Sequence, residues 1–124
     1  MAKILIVDDE PHIRMLLEQT LEELEDEGVD FLTAENGEEA LQIIKEEKPD
    51  LVFLDVMMPK MNGYEVCDTV KNQLKTDNVF VIMLTAKGQE FDKQKGAEVG
   101  ADIFMTKPFN PDKILEKARA VLKL

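Results

Sequence analysis

The sequence predicts an α/β protein, a (βα)5 doubly wound five-stranded parallel sheet with strand order 2-1-3-4-5. Short apolar runs alternate with longer amphipathic stretches along the whole chain. The runs are continuous rather than alternating, as strands covered on both faces require. At 124 residues the chain has the size of one domain, so residues 1–124 are read as a single unit.

The first strand is KILIV (3–7), and Ile13, Leu16, Leu17, Leu21 and Leu24 share one face of the helix after it. Pro11 suits that helix's first turn, with Asp8 or Asp9 as its cap. The second strand, FLTA (31–34), precedes a helix that Asn36 and Glu39 would cap. LVFL (51–54) is the third strand and runs straight into Asp55. Gly63 fits a tight turn before the third helix, where Val66, Val70 and Leu74 align. VFVIML (79–84) is the fourth strand. The stretch after it (87–100) has few apolar anchors, chiefly Phe91, Ala97 and Val99. Gly96 costs it about 1 kcal/mol relative to alanine, so this fourth helix is expected to be the least stable. DIFMT (102–106) is the fifth strand. Asn110 and Pro111 then open a last helix with Ile114, Leu115, Ala118, Val121 and Leu122 on one face.

Acidic residues number 26 against 15 basic, a net charge of -11, which disfavours nucleic acid and anionic membranes as partners. The single cysteine, Cys67, has no internal partner. No apolar run approaches the ~20 residues of a membrane span, and the N-terminus lacks the features of a signal peptide. A cytoplasmic location is expected.

Ligands of open α/β sheets bind at the carboxyl ends of strands. Asp8 and Asp9 follow the first strand, Asp55 the third, Thr85 the fourth and Lys107 the fifth. Two carboxylates about 4 Å apart repel by roughly 4 kcal/mol at an effective dielectric of ~20. Three together call for a cation or a shared proton. Oxygen ligands favour Mg²⁺; His12 and Cys67 make no zinc set with these acids, and His12 is expected at the surface. Thr85 and Lys107 add donors for a dianionic group beside a carboxylate nucleophile, the layout of phosphoryl transfer to an aspartate.

The ordered set Asp8-Asp9, LDVMMPKMNG (54–63), LTA (84–86) and TKPF (106–109) resembles the receiver domain of two-component response regulators, the CheY-like family with its flavodoxin-like fold, over nearly the whole chain. The resemblance implies that Asp55 is the phosphoacceptor. It implies Mg²⁺ held by Asp9, Asp55 and the Met57 carbonyl, with Asp8 acting mainly through water. Thr85, Lys107 and the backbone amides of Val56 and Ala86 would hold phosphoryl oxygens. Thr85 and Phe104 would be the switch pair, Pro108 would follow a cis peptide, and Met57 and Lys87 would tune hydrolysis toward a lifetime longer than seconds.

The implied partners are a sensor histidine kinase or histidine phosphotransfer protein, and an output protein of unknown identity. Phosphorylation would change the surface of helix 4, strand 5 and helix 5, including a phosphorylation-dependent dimer through it, and would alter amide exchange in residues 86–106. The chain ends directly after the fifth helix, which leaves a free-standing regulator and a segment of a longer protein both open.

Two other classes fit less well. A Mg²⁺-dependent phosphatase with an aspartyl nucleophile usually has a second acid two residues on, where this chain has Met57. A nucleotide-binding domain would show a glycine-rich loop after the first strand, where two acids stand instead.

Overall fold

The computed structural model describes residues 2–58, 60–74, 78–85, 98–106 and 110–124. Its strands are β1 (Lys3–Val7), β2 (Asp30–Ala34), β3 (Leu51–Asp55), β4 (Phe80–Thr85) and β5 (Ile103–Thr106). They form one parallel sheet in the order β2-β1-β3-β4-β5, the predicted arrangement.

Alternate residues of each strand point to opposite faces, and both faces are covered. On one face Leu5, Val7, Val52, Leu54, Val81 and Met83 pack with Ala40 and Ile44 of α2 (Gly37–Glu47). Val66 and Cys67 of α3 (Gly63–Asp68) join the same cluster. On the other, Ile4, Ile6, Leu51, Phe53, Ile82 and Leu84 meet Leu17 and Leu21 of α1 (Pro11–Leu21). Ile114 and Ala118 of the C-terminal helix (Pro111–Leu122) complete that cluster. Burial of each large side chain is worth about 1.5–3 kcal/mol, and these two layers hold the sheet between the helices. At the edge, β5 departs from the expected continuous burial and alternates half-buried with exposed residues.

The caps follow sequence chemistry. Asn36 accepts the Glu39 N–H at 2.9 Å, and Asn110 accepts that of Asp112 at 2.8 Å. Asn62 and Glu65 form a reciprocal capping box at the start of α3. At the first helix neither Asp8 nor Asp9 is the N-cap. Its N-cap is Glu10, without a side-chain cap, and the Asp8 carboxylate instead accepts the Glu10 N–H at 3.0 Å.

Two apolar faces also shift. Helix α1 passes into a 3₁₀ segment (Glu22–Glu27) that buries Leu24, while Leu16 is exposed. Helix α3 passes into a π-helix (Thr69–Gln73), whose wider turn rotates Leu74 into solvent. Most of the expected fourth helix lies outside the described residues.

At the amino-terminal rim, Asp50 and Asp102 repeat one device. Asp50 donates its N–H to the Lys3 carbonyl (2.9 Å) and accepts the Lys3 N–H on its carboxylate (2.9 Å). Asp102 does the same with Val81, at 3.0 and 2.8 Å. Each closes the ladder near the start of a strand, Lys3 of β1 and Val81 of β4, at the rim opposite Asp8 and Asp55.

Candidate functional site

Val7 pairs with Leu54, so the chains leave β1 and β3 side by side as Asp8 and Asp55. Asp55 is opposite Leu84, and Thr85 is opposite Thr106. The sheet register thus carries Asp8, Asp55 and Thr85, three of the five predicted polar residues, to one rim. Asp8 is 0% exposed, and Asp55 and Thr85 are 5% exposed. Among the described residues these three are the buried polar or charged side chains. Burying such groups is costly, so their concentration at one rim is a chemical feature rather than a packing one.

Asp9 and Glu10 stand exposed beside Asp8. Carboxylate oxygens of Asp8, Asp9 and Glu10 lie within 4.8 Å of one another. An all-oxygen, anionic donor set open to solvent on one side fits Mg²⁺, which keeps several waters. Glu10 in this group was not anticipated. His12 is exposed, as expected, with Nε2 3.2 Å from the Glu10 carboxylate.

Gly63 admits the turn that follows. Its N–H donates to the Val56 carbonyl at 2.8 Å, and a Cβ there would lie 2.9 Å from the Val56 Cα. Met57 is exposed in this turn.

The Val56 N–H, expected to hold a phosphoryl oxygen, donates to the Leu84 carbonyl at 3.1 Å and extends the β3–β4 ladder. Ala86, Lys87, Lys107 and Pro108 lie outside the described residues. Phe104 is 37% exposed and, with Thr106, Asn110, Lys113 and Lys117, lines a groove of about 400 Å³.

Sequence reasoning also missed Arg14, whose guanidinium reaches back to the Asp8 carbonyl. Its position on α1, six residues after Asp8, was the available signal. No helix among the described residues is long and apolar enough to cross a membrane.

Comparison with known proteins agrees with this geometry. Residues 4–119 match the family model described as the response regulator receiver domain. The chain is 49% identical over 121 residues to the alkaline phosphatase synthesis transcriptional regulatory protein PhoP of Bacillus subtilis, covering 98% of this chain and 48% of that protein. The chain spans about half the length of the curated relatives it matches. Among solved structures it is similar to a putative response regulator from Chloroflexus aurantiacus, with TM-score 0.84, 34% identity, and 99% and 98% of the two chains covered. The chemotaxis response regulator CheY4 of Vibrio cholerae gives TM-score 0.81 and 36% identity, with 98% of each chain covered.

Proposed function

The chain belongs to the receiver-domain family of two-component response regulators, and from that premise we propose that Asp55 is its phosphoacceptor. The observation that carries this reading is the gathering of Asp8, Asp55 and Thr85, the buried polar side chains of the described residues, at one rim of the sheet.

Asp9, Asp55 and the Met57 carbonyl would hold Mg²⁺, with Asp8 acting mainly through water. When bound, the cation offsets negative charge on the transferring group. A carboxylate oxygen of Asp55 attacks phosphorus in line. The new P–O bond forms as the bond to a histidine nitrogen of the donor breaks, and the imidazole leaves. The Thr85 hydroxyl, the Ala86 N–H and the Lys107 ammonium receive the phosphoryl oxygens. Rigid β3 holds the nucleophile, so little ordering is left for the reaction to supply.

The donor is a phosphohistidine on a sensor kinase or phosphotransfer protein, in the cytoplasm. Small acyl phosphates also serve, because the receiver contributes its own catalytic groups. Phosphorylation adds about -1.5 to -2 charge. Thr85 is drawn toward it, Phe104 turns inward, and the face that includes β5 and the C-terminal helix changes its affinity for an output partner. PhoP is named a transcriptional regulator, which supports an output in transcription.

Incubation with acetyl phosphate and MgCl₂, followed by intact mass measurement, tests the assignment. Wild type gains one hydroxylamine-labile phosphoryl group, and Asp55→Asn gains none. Undiminished labelling of Asp55→Asn removes Asp55 from this role.

A further inference from the structure

Arg14 reaches the candidate site through the Asp8 backbone. It projects from α1, and its side chain is only 14% exposed. One guanidinium nitrogen donates to the Asp8 backbone carbonyl at 2.6 Å. The other lies 3.5 Å from the Glu35 carboxylate in the turn after β2. The rest of Asp8 is tied down as well. Its N–H donates to the Ala34 carbonyl at 3.2 Å, and its carboxylate accepts the Glu10 N–H at 3.0 Å.

The Asp8 carbonyl shares a rigid peptide plane with the Asp9 N–H. Holding that carbonyl therefore fixes the direction in which the chain leaves toward the Asp9 Cα. Asp9 is exposed and has no burial to orient it. Its carboxylate must nonetheless stay near those of Asp8 and Glu10, which repel it. A hydrogen bond from a charged donor to the preceding carbonyl supplies that restraint.

We propose that Arg14 is a positioning residue for the cation site: through the Asp8 carbonyl it sets the Asp8–Asp9 peptide plane and keeps the Asp9 carboxylate in place. This rests on the reading of Asp8 and Asp9 as cation ligands. Glu35 has a complementary task. A guanidinium near a divalent cation would weaken its binding, and the Glu35 carboxylate balances that charge.

Removing Arg14 alone therefore mixes two opposed effects, lost positioning and lost repulsion. The charge-matched pair Arg14→Met with Glu35→Gln isolates the first, and Glu35→Gln alone gives the reference for the second. The probe is Mn²⁺, titrated into the full chain and followed by the electron paramagnetic resonance of the free ion. Loss of a residue that orients a metal ligand typically costs 10–100-fold in affinity, so the double variant is expected to bind Mn²⁺ about tenfold more weakly than wild type. Arg14→Lys, which keeps one charged donor, recovers most of the affinity. Acetyl phosphate labelling of the double variant returns to the wild-type rate at saturating Mg²⁺ and lags at limiting Mg²⁺, a split that general destabilisation does not produce.

Wild-type Mn²⁺ affinity in the double variant, with binding abolished in Asp9→Asn, overturns the role of Arg14 and leaves the cation site standing. Absence of Mn²⁺ binding in wild type, or full binding in Asp9→Asn, overturns the cation site and this inference with it. If the Met variant does not fold, Arg14→Gln with Glu35→Gln reads the same quantity.

Discussion

Gly63 packs directly on the backbone of Asp55: a Cβ at Gly63 would fall inside contact distance of the Asp55 carbonyl oxygen and 2.9 Å from the Val56 Cα. Both neighbours are backbone atoms, so neither can swing aside. Gly63→Ala gains up to about 1 kcal/mol of helix propensity. Overpacking against fixed backbone costs about 1–3 kcal/mol, and should win. The expected outcome is a net loss of about 1–2 kcal/mol in urea unfolding, with slower acetyl phosphate labelling because the turn after Asp55 must shift. A variant as stable as wild type would show that this turn has slack.

The carboxylates of Asp8, Asp9 and Glu10 repel one another within 4.8 Å, and Asp9 and Glu10 are exposed. In water-like surroundings each such repulsion is about 1 kcal/mol. Asp9 has two such neighbours, so Asp9→Asn should raise stability in EDTA by about 1–2 kcal/mol. In wild type, Mg²⁺ at 100 times its dissociation constant should add about 2.7 kcal/mol, and in Asp9→Asn far less. Urea midpoints with EDTA and with excess MgCl₂ measure both. Equal Mg²⁺ responses in the two proteins would move the cation elsewhere.

The opposite rim depends on Asp102. Its carboxylate accepts the Val81 N–H at 2.8 Å and meets the Lys71 ammonium at 2.9 Å. Lys71 is mostly buried and also donates to the Val79 carbonyl at 2.5 Å. Asp102→Ala strands a strand N–H and leaves the ammonium short of its counter-charge, at an expected cost of about 2–3 kcal/mol. Asp102→Asn keeps an acceptor for Val81 and should cost about half as much. Equal losses in the two variants would mean that the charge, not the strand cap, dominates.

The strands were legible because each is a continuous apolar run ending within a residue of where the structure ends it, and the side-chain caps at Asn36 and Asn110 follow from local chemistry. The convergence of Asp8, Asp55 and Thr85 on one rim was legible because a parallel sheet delivers strand ends to one place. What the sequence concealed depends on longer-range geometry. Leu74 fits a helical stripe from Val66 and Val70, and only the π-turn moves it outward. Asp50 and Asp102 look like ordinary turn acids until strand pairing supplies their partners. Arg14 and Glu35 lie 21 positions apart, joined only through the folding of β2 against β1. The hydrogen bond from the Val56 N–H to Leu84 was not foreseen, because the β3–β4 ladder runs one hydrogen bond past Asp55.

Cys67 sits fully buried under the sheet, and its thiol donates to the Val99 carbonyl at 3.3 Å. Burial pushes the thiol pKa up to about 12, with the nearby Lys71 only partly opposing it. An unfolded cysteine titrates near ~8.5. The folded value is the higher one, so the native protein keeps a proton that the unfolded chain releases. Stability from this group is complete below the unfolded pKa and declines as pH rises from there toward the folded value. Over that window the slope approaches about 1.4 kcal/mol per pH unit. Lysines and Tyr64 titrate at high pH too, so the quantity to measure is the difference between wild type and Cys67→Ala across pH 8 to 11 in urea unfolding. Wild type should lose its advantage as pH rises through this range. The same burial predicts that alkylation of Cys67 at pH 8 is far slower than that of an exposed thiol and accelerates in urea. Parallel pH profiles for the two proteins, or rapid native alkylation, would show that the thiol reaches water without unfolding.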